Sequence, residues 1–188
     1  MASAMYFIAV IPDAALAARV EELKTHVALN YSSVRALRSP AHITLQPPFY
    51  LDTETEGPLM AHLATFAKSR HSFEVVLESF SHFDKRVIFI DVLPAAELTA
   101  LRNDLLQFLK VHHYPAERDL SFKPHITIAF RDLSKKNFDK AWTEFRHRTF
   151  SEKFLADGIA LLKHNGKHWE VLAKIPFILS PSGPNGLL

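Results

Sequence analysis

The chain has 188 residues, of which 22 are basic and 20 acidic, for a net charge of +2 with histidine neutral. That length suffices to bury roughly 70% of the unfolded surface without staples. The absence of cysteine removes disulfides, thiolate nucleophiles and zinc–cysteine sites. The near-even charge excludes a broad basic footprint for long nucleic acid. The five glycines do not form a phosphate-cradling loop, so side chains must hold any phosphate.

The elements follow in chain order. An apolar strand, Phe7–Ile11, ends at Pro12. Leu16, Val20, Leu23 and Val27 then mark one face of a helix. His42-Ile43-Thr44-Leu45 alternates as a strand, and the following Gln46-Pro47-Pro48-Phe49 predicts that it stops early. Leu59, Leu63 and Phe66 mark a second helix, and Phe73–Phe80 a strand that Asp84-Lys85 returns as a hairpin. Val87–Leu93 opens the second half as a strand, followed by a helix with Leu98, Leu101, Leu105 and Leu109 on one face. Next come the strand His125-Ile126-Thr127-Ile128 and a helix carrying Phe138, Ala141, Trp142 and Phe145, with Ser134 as its N-cap. Leu155–Leu162 reads as one strand, and Asn165-Gly166 predicts the last hairpin. Neither Met1–Pro12 nor Ile175–Leu188 is long enough to span a bilayer, so the expectation is a cytoplasmic protein without a membrane partner.

The order is duplicated. Phe7–Leu23 and Phe89–Leu105 share eight identities in seventeen positions at an offset of 82, and the two His-Ile-Thr segments recur at an offset of 83. The reading is an α+β fold of two pseudo-symmetric lobes, each a β-α-β-α-β-β unit (about 6–85 and 86–178), with mainly antiparallel sheets around a central cleft. A Pro/Ser/Gly-rich tail occupies 179–188.

Alternation along a strand turns His42 and Thr44 to one face and Ile43 and Leu45 to the other; His125 and Thr127 behave the same way. Folding the halves about a two-fold axis brings the polar faces together across a cleft. Two opposed imidazoles suit phosphoester cleavage: a neutral one takes a proton from the attacking oxygen, and a protonated one gives a proton to the leaving oxygen. Threonine hydroxyls donate to the non-bridging oxygens as charge builds up. The remaining histidines have structural explanations. His164 and His168 flank the Asn165-Gly166 turn, so they lack helical metal spacing. No H-E-x-x-H, clustered carboxylates or G-x-S-x-G is present. Neither a metal nor another cofactor is expected.

Two H-x-T-x tetrapeptides about eighty residues apart, HITL at 42–45 and HITI at 125–128, resemble the signature of the 2H phosphoesterase superfamily, and the chain is similar to its bacterial 2′-5′ RNA ligase-like branch. The resemblance covers nearly the whole chain. It implies a bilobed fold and metal-independent cyclic phosphodiesterase activity on a nucleotide or RNA end bearing a 2′,3′-cyclic or related phosphate. It also implies His42 and His125 as the acid–base pair and Thr44 and Thr127 as phosphate ligands. No obligate protein partner follows from it. Members of the branch often carry arginine five residues after the second histidine; here Phe130 holds that place and Arg131 follows. On a regular strand this puts Arg131 on the opposite face, so it is a substrate-binding candidate only if a bulge restores it, and the departure tells against ligation. A 2′-5′ RNA ligase and a non-catalytic nucleotide-binding module are the competing readings.

Overall fold

The computed structural model describes residues 2–116 and 121–178. The tail expected at 179–188 lies outside the described residues. Eight strands and four α-helices are found there: β1 Ser3–Val10, α1 Ala14–Tyr31, β2 Ile43–Asp52, α2 Glu56–Ala67, β3 Phe73–Phe83, β4 Val87–Val92, α3 Ala96–Val111, β5 His125–Ala129, α4 Lys135–Phe145, β6 Ser151–Ala156, β7 Gly158–His164 and β8 Trp169–Pro176. The helix starts have local causes. Asp13 Oδ1 accepts from the amides of Ala15 and Leu16, both at 3.0 Å, and Ser134 Oγ accepts from that of Asn137 at 3.2 Å.

The fold is α+β, built on two four-stranded antiparallel sheets ordered β2-β1-β7-β8 and β5-β4-β3-β6. Three of the four places correspond at the repeat offset, β2 with β5, β1 with β4 and β7 with β3, which is the structural form of the duplication. The sheets do not divide where the sequence repeat does. β3, the last strand of the first repeat, pairs with β4 in the second sheet; β7 and β8, from the end of the chain, complete the first. The segment expected as one strand, Leu155–Leu162, breaks at Asp157 into β6 and β7, one in each sheet. Gly158 makes that crossing possible: a Cβ there would lie 2.4 Å from the Ile175 carbonyl oxygen.

A second correction concerns β2, which runs through Pro47 and Pro48 to Asp52. Its register against β1 moves from Ile8↔Gln46 to Tyr6↔Phe49, so three steps on β2 oppose two on β1. That bulge and the edge position of β2 let the strand accommodate prolines, which cannot donate to a ladder. Phe49 belongs to the core, with its ring 6.2 Å from that of Tyr6.

The lobes interlock. α1 lies against β5 of the second sheet and α3 against β2 of the first. The main apolar core therefore runs through both lobes, from Val20 and Val27 of α1 to Ile126 and Ile128 of β5, and from Leu105 and Leu109 of α3 to Ile43 and Leu45 of β2. No helix among the described residues is long and apolar enough to cross a membrane.

Candidate active site

Each motif follows the same local plan. Ile43, Leu45, Ile126 and Ile128 are essentially inaccessible, while His42, Thr44, His125 and Thr127 are half-buried on the opposite face. His42 immediately precedes β2, and its Nδ1 lies 2.7 Å from the Pro40 carbonyl oxygen. His125 opens β5, with its Nδ1 2.7 Å from the Lys123 carbonyl oxygen. A carbonyl only accepts, so Nδ1 carries the hydrogen in both rings and donates it, leaving Nε2 for chemistry. An aromatic ring backs each imidazole: Phe7 behind His42 and Phe89 behind His125, both with centroids 4.8 Å apart. Phe7 and Phe89 are equivalent positions of the repeat.

The structure brings all four motif residues to one cavity of about 440 Å³ between the lobes. Burial pushes the His42 imidazole down to about 4, against the hydrogen bond to Pro40; the charges of Lys24 and His125 add to the depression. Burial lowers His125 as well, opposed by its bond to the Lys123 carbonyl and by the Asp91 carboxylate, with the Lys123 ammonium adding to the lowering.

Several cavity residues carry little signal in the sequence. Arg35 and Arg38 enter on a 3-10 turn, Arg35–Arg38, just upstream of His42. Their spacing of three is the one signal available, because residues i and i+3 eclipse on such a turn. Asp132 of the other lobe holds that turn in place: its Oδ2 accepts from the amides of Val34 (2.8 Å) and Arg35 (3.0 Å), and its Oδ1 from the hydroxyl of buried Ser33 (2.7 Å). The amide of Phe130 donates back to Ser33 Oγ at 3.3 Å. From the other side the β7–β8 hairpin brings in His164 and Trp169, whose rings lie 4.9 Å apart, with Trp169 edge-on to Phe7 at 4.7 Å. The signal for His164 was its place beside the Asn165-Gly166 turn, where it reads as a hairpin residue.

Arg131 lies outside this cavity. β5 ends at Ala129, and Arg131 sits in the following turn, so strand alternation does not govern its direction. It lines a neighbouring cavity of about 410 Å³ with Arg86 and Phe83, which shares His125, Thr127 and Phe130 with the main one. Its guanidinium lies 5.7 Å from the centre of the Phe130 ring, and its carbonyl accepts from Arg86 Nη2 at 3.1 Å. A larger opening of about 670 Å³ borders α1 and residues 147–150 and includes none of the four motif residues. Its arginines are already paired, Arg19 with Glu152 and Arg148 with Glu144, which leaves the motif cavity as the candidate site. No group of three or more potential metal-binding side chains occurs among the described residues.

A duplicated half-site, two imidazoles presenting Nε2 and two threonines on one cavity define an arrangement suited to phosphoester chemistry. The sequence model of the 2′-5′ RNA ligase superfamily matches residues 12–168, and the chain belongs to that family. Solved structures agree in fold. Escherichia coli LigT complexed with 3′-AMP is 17% identical with a TM-score of 0.67, covering 94% of this chain and 99% of LigT. TT0787 of Thermus thermophilus is 22% identical with a TM-score of 0.61, covering 92% of this chain and 97% of its own. The phosphodiesterase (PDE) domain of MHV ns2 is 15% identical with a TM-score of 0.53, covering 85% and 99%. No curated protein sequence gives a significant match.

Proposed function

We propose that the protein is a metal-independent phosphoesterase that hydrolyses a cyclic phosphate, on a 2′,3′-cyclic nucleotide or an RNA end, or a 2′-5′ phosphodiester. The observation that carries the reading is the pair of imidazoles with pinned Nδ1 hydrogens and available Nε2 atoms on one cavity beside two threonines. A neutral imidazole takes a proton from water, and the water oxygen forms the new P–O bond. The bond from phosphorus to a ribose oxygen breaks, and that oxygen takes its proton from the second, protonated imidazole. Thr44 and Thr127 donate to the non-bridging oxygens, and Arg35 and Arg38 supply positive charge on the lobe-one side.

A nucleotide-bearing substrate is supported by the LigT structures with 3′-AMP, ATP and NADP⁺. Trp169 offers an apolar face at the cavity wall for a base. The direct test is a panel of phosphodiesters resolved by phosphorus NMR, with and without EDTA. Turnover that survives EDTA is the expected result. Loss of all activity in EDTA, restored by a divalent ion, overturns the two-histidine mechanism; binding without turnover favours a nucleotide-binding module.

A further inference from the structure

We propose that Lys24 and Asp91 divide the labour between the two histidines, making His42 the general base and His125 the general acid. The proposal rests on the phosphoesterase reading above. Neither residue touches the reacting atoms; both are positioning residues that act through an imidazole.

The repeat shows why these two stand out. At its offset of 82, Lys24 corresponds to Leu106 and Asp91 to Ala9, both buried and apolar. At these two positions the half-sites thus differ by charges of opposite sign, an ammonium behind His42 and a carboxylate beside His125. Lys24 is 2% exposed, and its Nζ donates to Glu21 Oε1 at 2.7 Å and to the Ser39 carbonyl at 2.8 Å. Ser39 precedes Pro40, whose carbonyl holds His42, so the ammonium lies behind the segment that orients that ring. Burial lowers the Lys24 pKa, and the Glu21 carboxylate works against the loss of its charge. Asp91 is directly opposite His125 in the β4–β5 ladder, hence on the same face of the sheet. Its side chain is 15% exposed, whereas that of its partner Lys123, 3.0 Å away, is 44% exposed. Water screens the lysine more than the carboxylate, so Asp91 dominates at the ring.

Other charges near the pair do not reverse this. Arg35, Arg38 and, when protonated, His164 share the cavity with His42 and also disfavour a second cation there. On the His125 side Arg86 and Arg131 oppose Asp91 while Asp84 assists it, and all three are exposed and screened. The shifts run in the matching directions: Lys24 contributes to lowering His42, and Asp91 to raising His125 against its burial. In this division Lys24 biases His42 toward accepting a proton, and Asp91 biases His125 toward keeping one to give.

The test combines the pH dependence of kcat/KM on a 2′,3′-cyclic nucleotide with NMR titration of both imidazoles in the free protein, for wild type, Lys24→Met, Lys24→Gln and Asp91→Asn. Lys24→Met should move the acidic limb and the His42 titration up by about half a pH unit or more, leaving the alkaline limb in place. Asp91→Asn should move the alkaline limb and the His125 titration down by a similar amount, about a three-fold slower rate on that side. Lys24→Gln keeps a donor for Ser39, so its plateau rate should survive while its acidic limb shifts as in Lys24→Met. Exchanged limbs, or limbs that move in neither variant, overturn the proposal. Wild-type protein inactive on every phosphodiester would overturn the phosphoesterase reading instead, while the imidazole titrations would still decide the electrostatic division.

Discussion

Around His42 and around His125 the backbone does the same thing. A carbonyl two residues upstream takes the Nδ1 hydrogen, a phenylalanine from the adjacent first strand of the repeat backs the ring, and a threonine follows two residues later. What lies behind differs. The His42 half meets a buried ammonium and the arginines of a 3-10 turn; the His125 half meets a carboxylate across the ladder and an aromatic neighbour, Phe83, with ring centroids 5.0 Å apart. Duplication supplies two equal imidazoles, and the proposed hydrolysis needs unequal ones, one neutral and one protonated. Geometry is thus the shared inheritance of the half-sites, and charge is where they diverge.

The harshest way to break the comparison is to remove the rings one at a time. His42→Ala and His125→Ala should each lower turnover about 10²–10⁴-fold, the usual worth of one positioned acid or base. The double variant should lose less than the product of the single losses, because the two groups act as a unit. Turnover of a 2′,3′-cyclic nucleotide, with circular dichroism to confirm folding, checks this. A folded single variant with near-wild-type turnover would make that histidine a structural one.

The parts of the site that were legible in the sequence are those the repeat encodes locally. His42, Thr44, His125 and Thr127 could be placed on one face because alternation is a property of four consecutive residues. Their meeting could be expected because the segment recurs at a nearly constant offset. The sheet exchange was not legible. Leu155–Leu162 is uniformly suited to a strand, and periodicity does not say that Asp157 divides it between two sheets; the close approach of Gly158 to Ile175 exists only in three dimensions. The persistence of β2 past Pro47 and Pro48 depends on its edge position, another tertiary fact. Arg35, Arg38 and Trp169 are not legible in the sequence for a related reason. Asp132 from the other lobe and the β7–β8 hairpin from the far end of the chain bring them to the cavity.

The unequal electrostatics also have a consequence for stability. His42 titrates near 4 in the folded chain against an ordinary 6.5, so between those values the unfolded state binds more protons than the folded one. Stability is therefore fully present above about pH 6.5 and falls as the pH drops toward 4, by at most ~3 kcal/mol from this group. Below that range both states are protonated and no further loss comes from it. Urea denaturation of wild type and His42→Gln at pH 7 and pH 4.5 should show a smaller acid penalty in the variant. An unchanged penalty would mean that His42 is solvated and titrates normally.

The smallest expected effect concerns the part of the site that should remain symmetric. Thr44 and Thr127 sit at matching places, both half-buried on the cavity, and in the proposed reaction each would donate to a phosphate oxygen rather than move a proton. Replacing either with valine keeps the β-branched shape the strand prefers and removes only the hydroxyl donor. A hydrogen bond to a charged group is worth about 1.5–3 kcal/mol, so each variant should lose roughly ten- to a hundred-fold in kcat/KM. Because no proton is transferred at these positions, both pH limbs should stay where they are in wild type. The two losses should also be similar, since the non-bridging oxygens of a phosphodiester share its charge equally. Kinetics of Thr44→Val and Thr127→Val across the pH range measure both features. A loss confined to one threonine would show that the phosphate leans on one lobe, and a displaced limb would show that the hydroxyl acts on its neighbouring histidine rather than on the substrate.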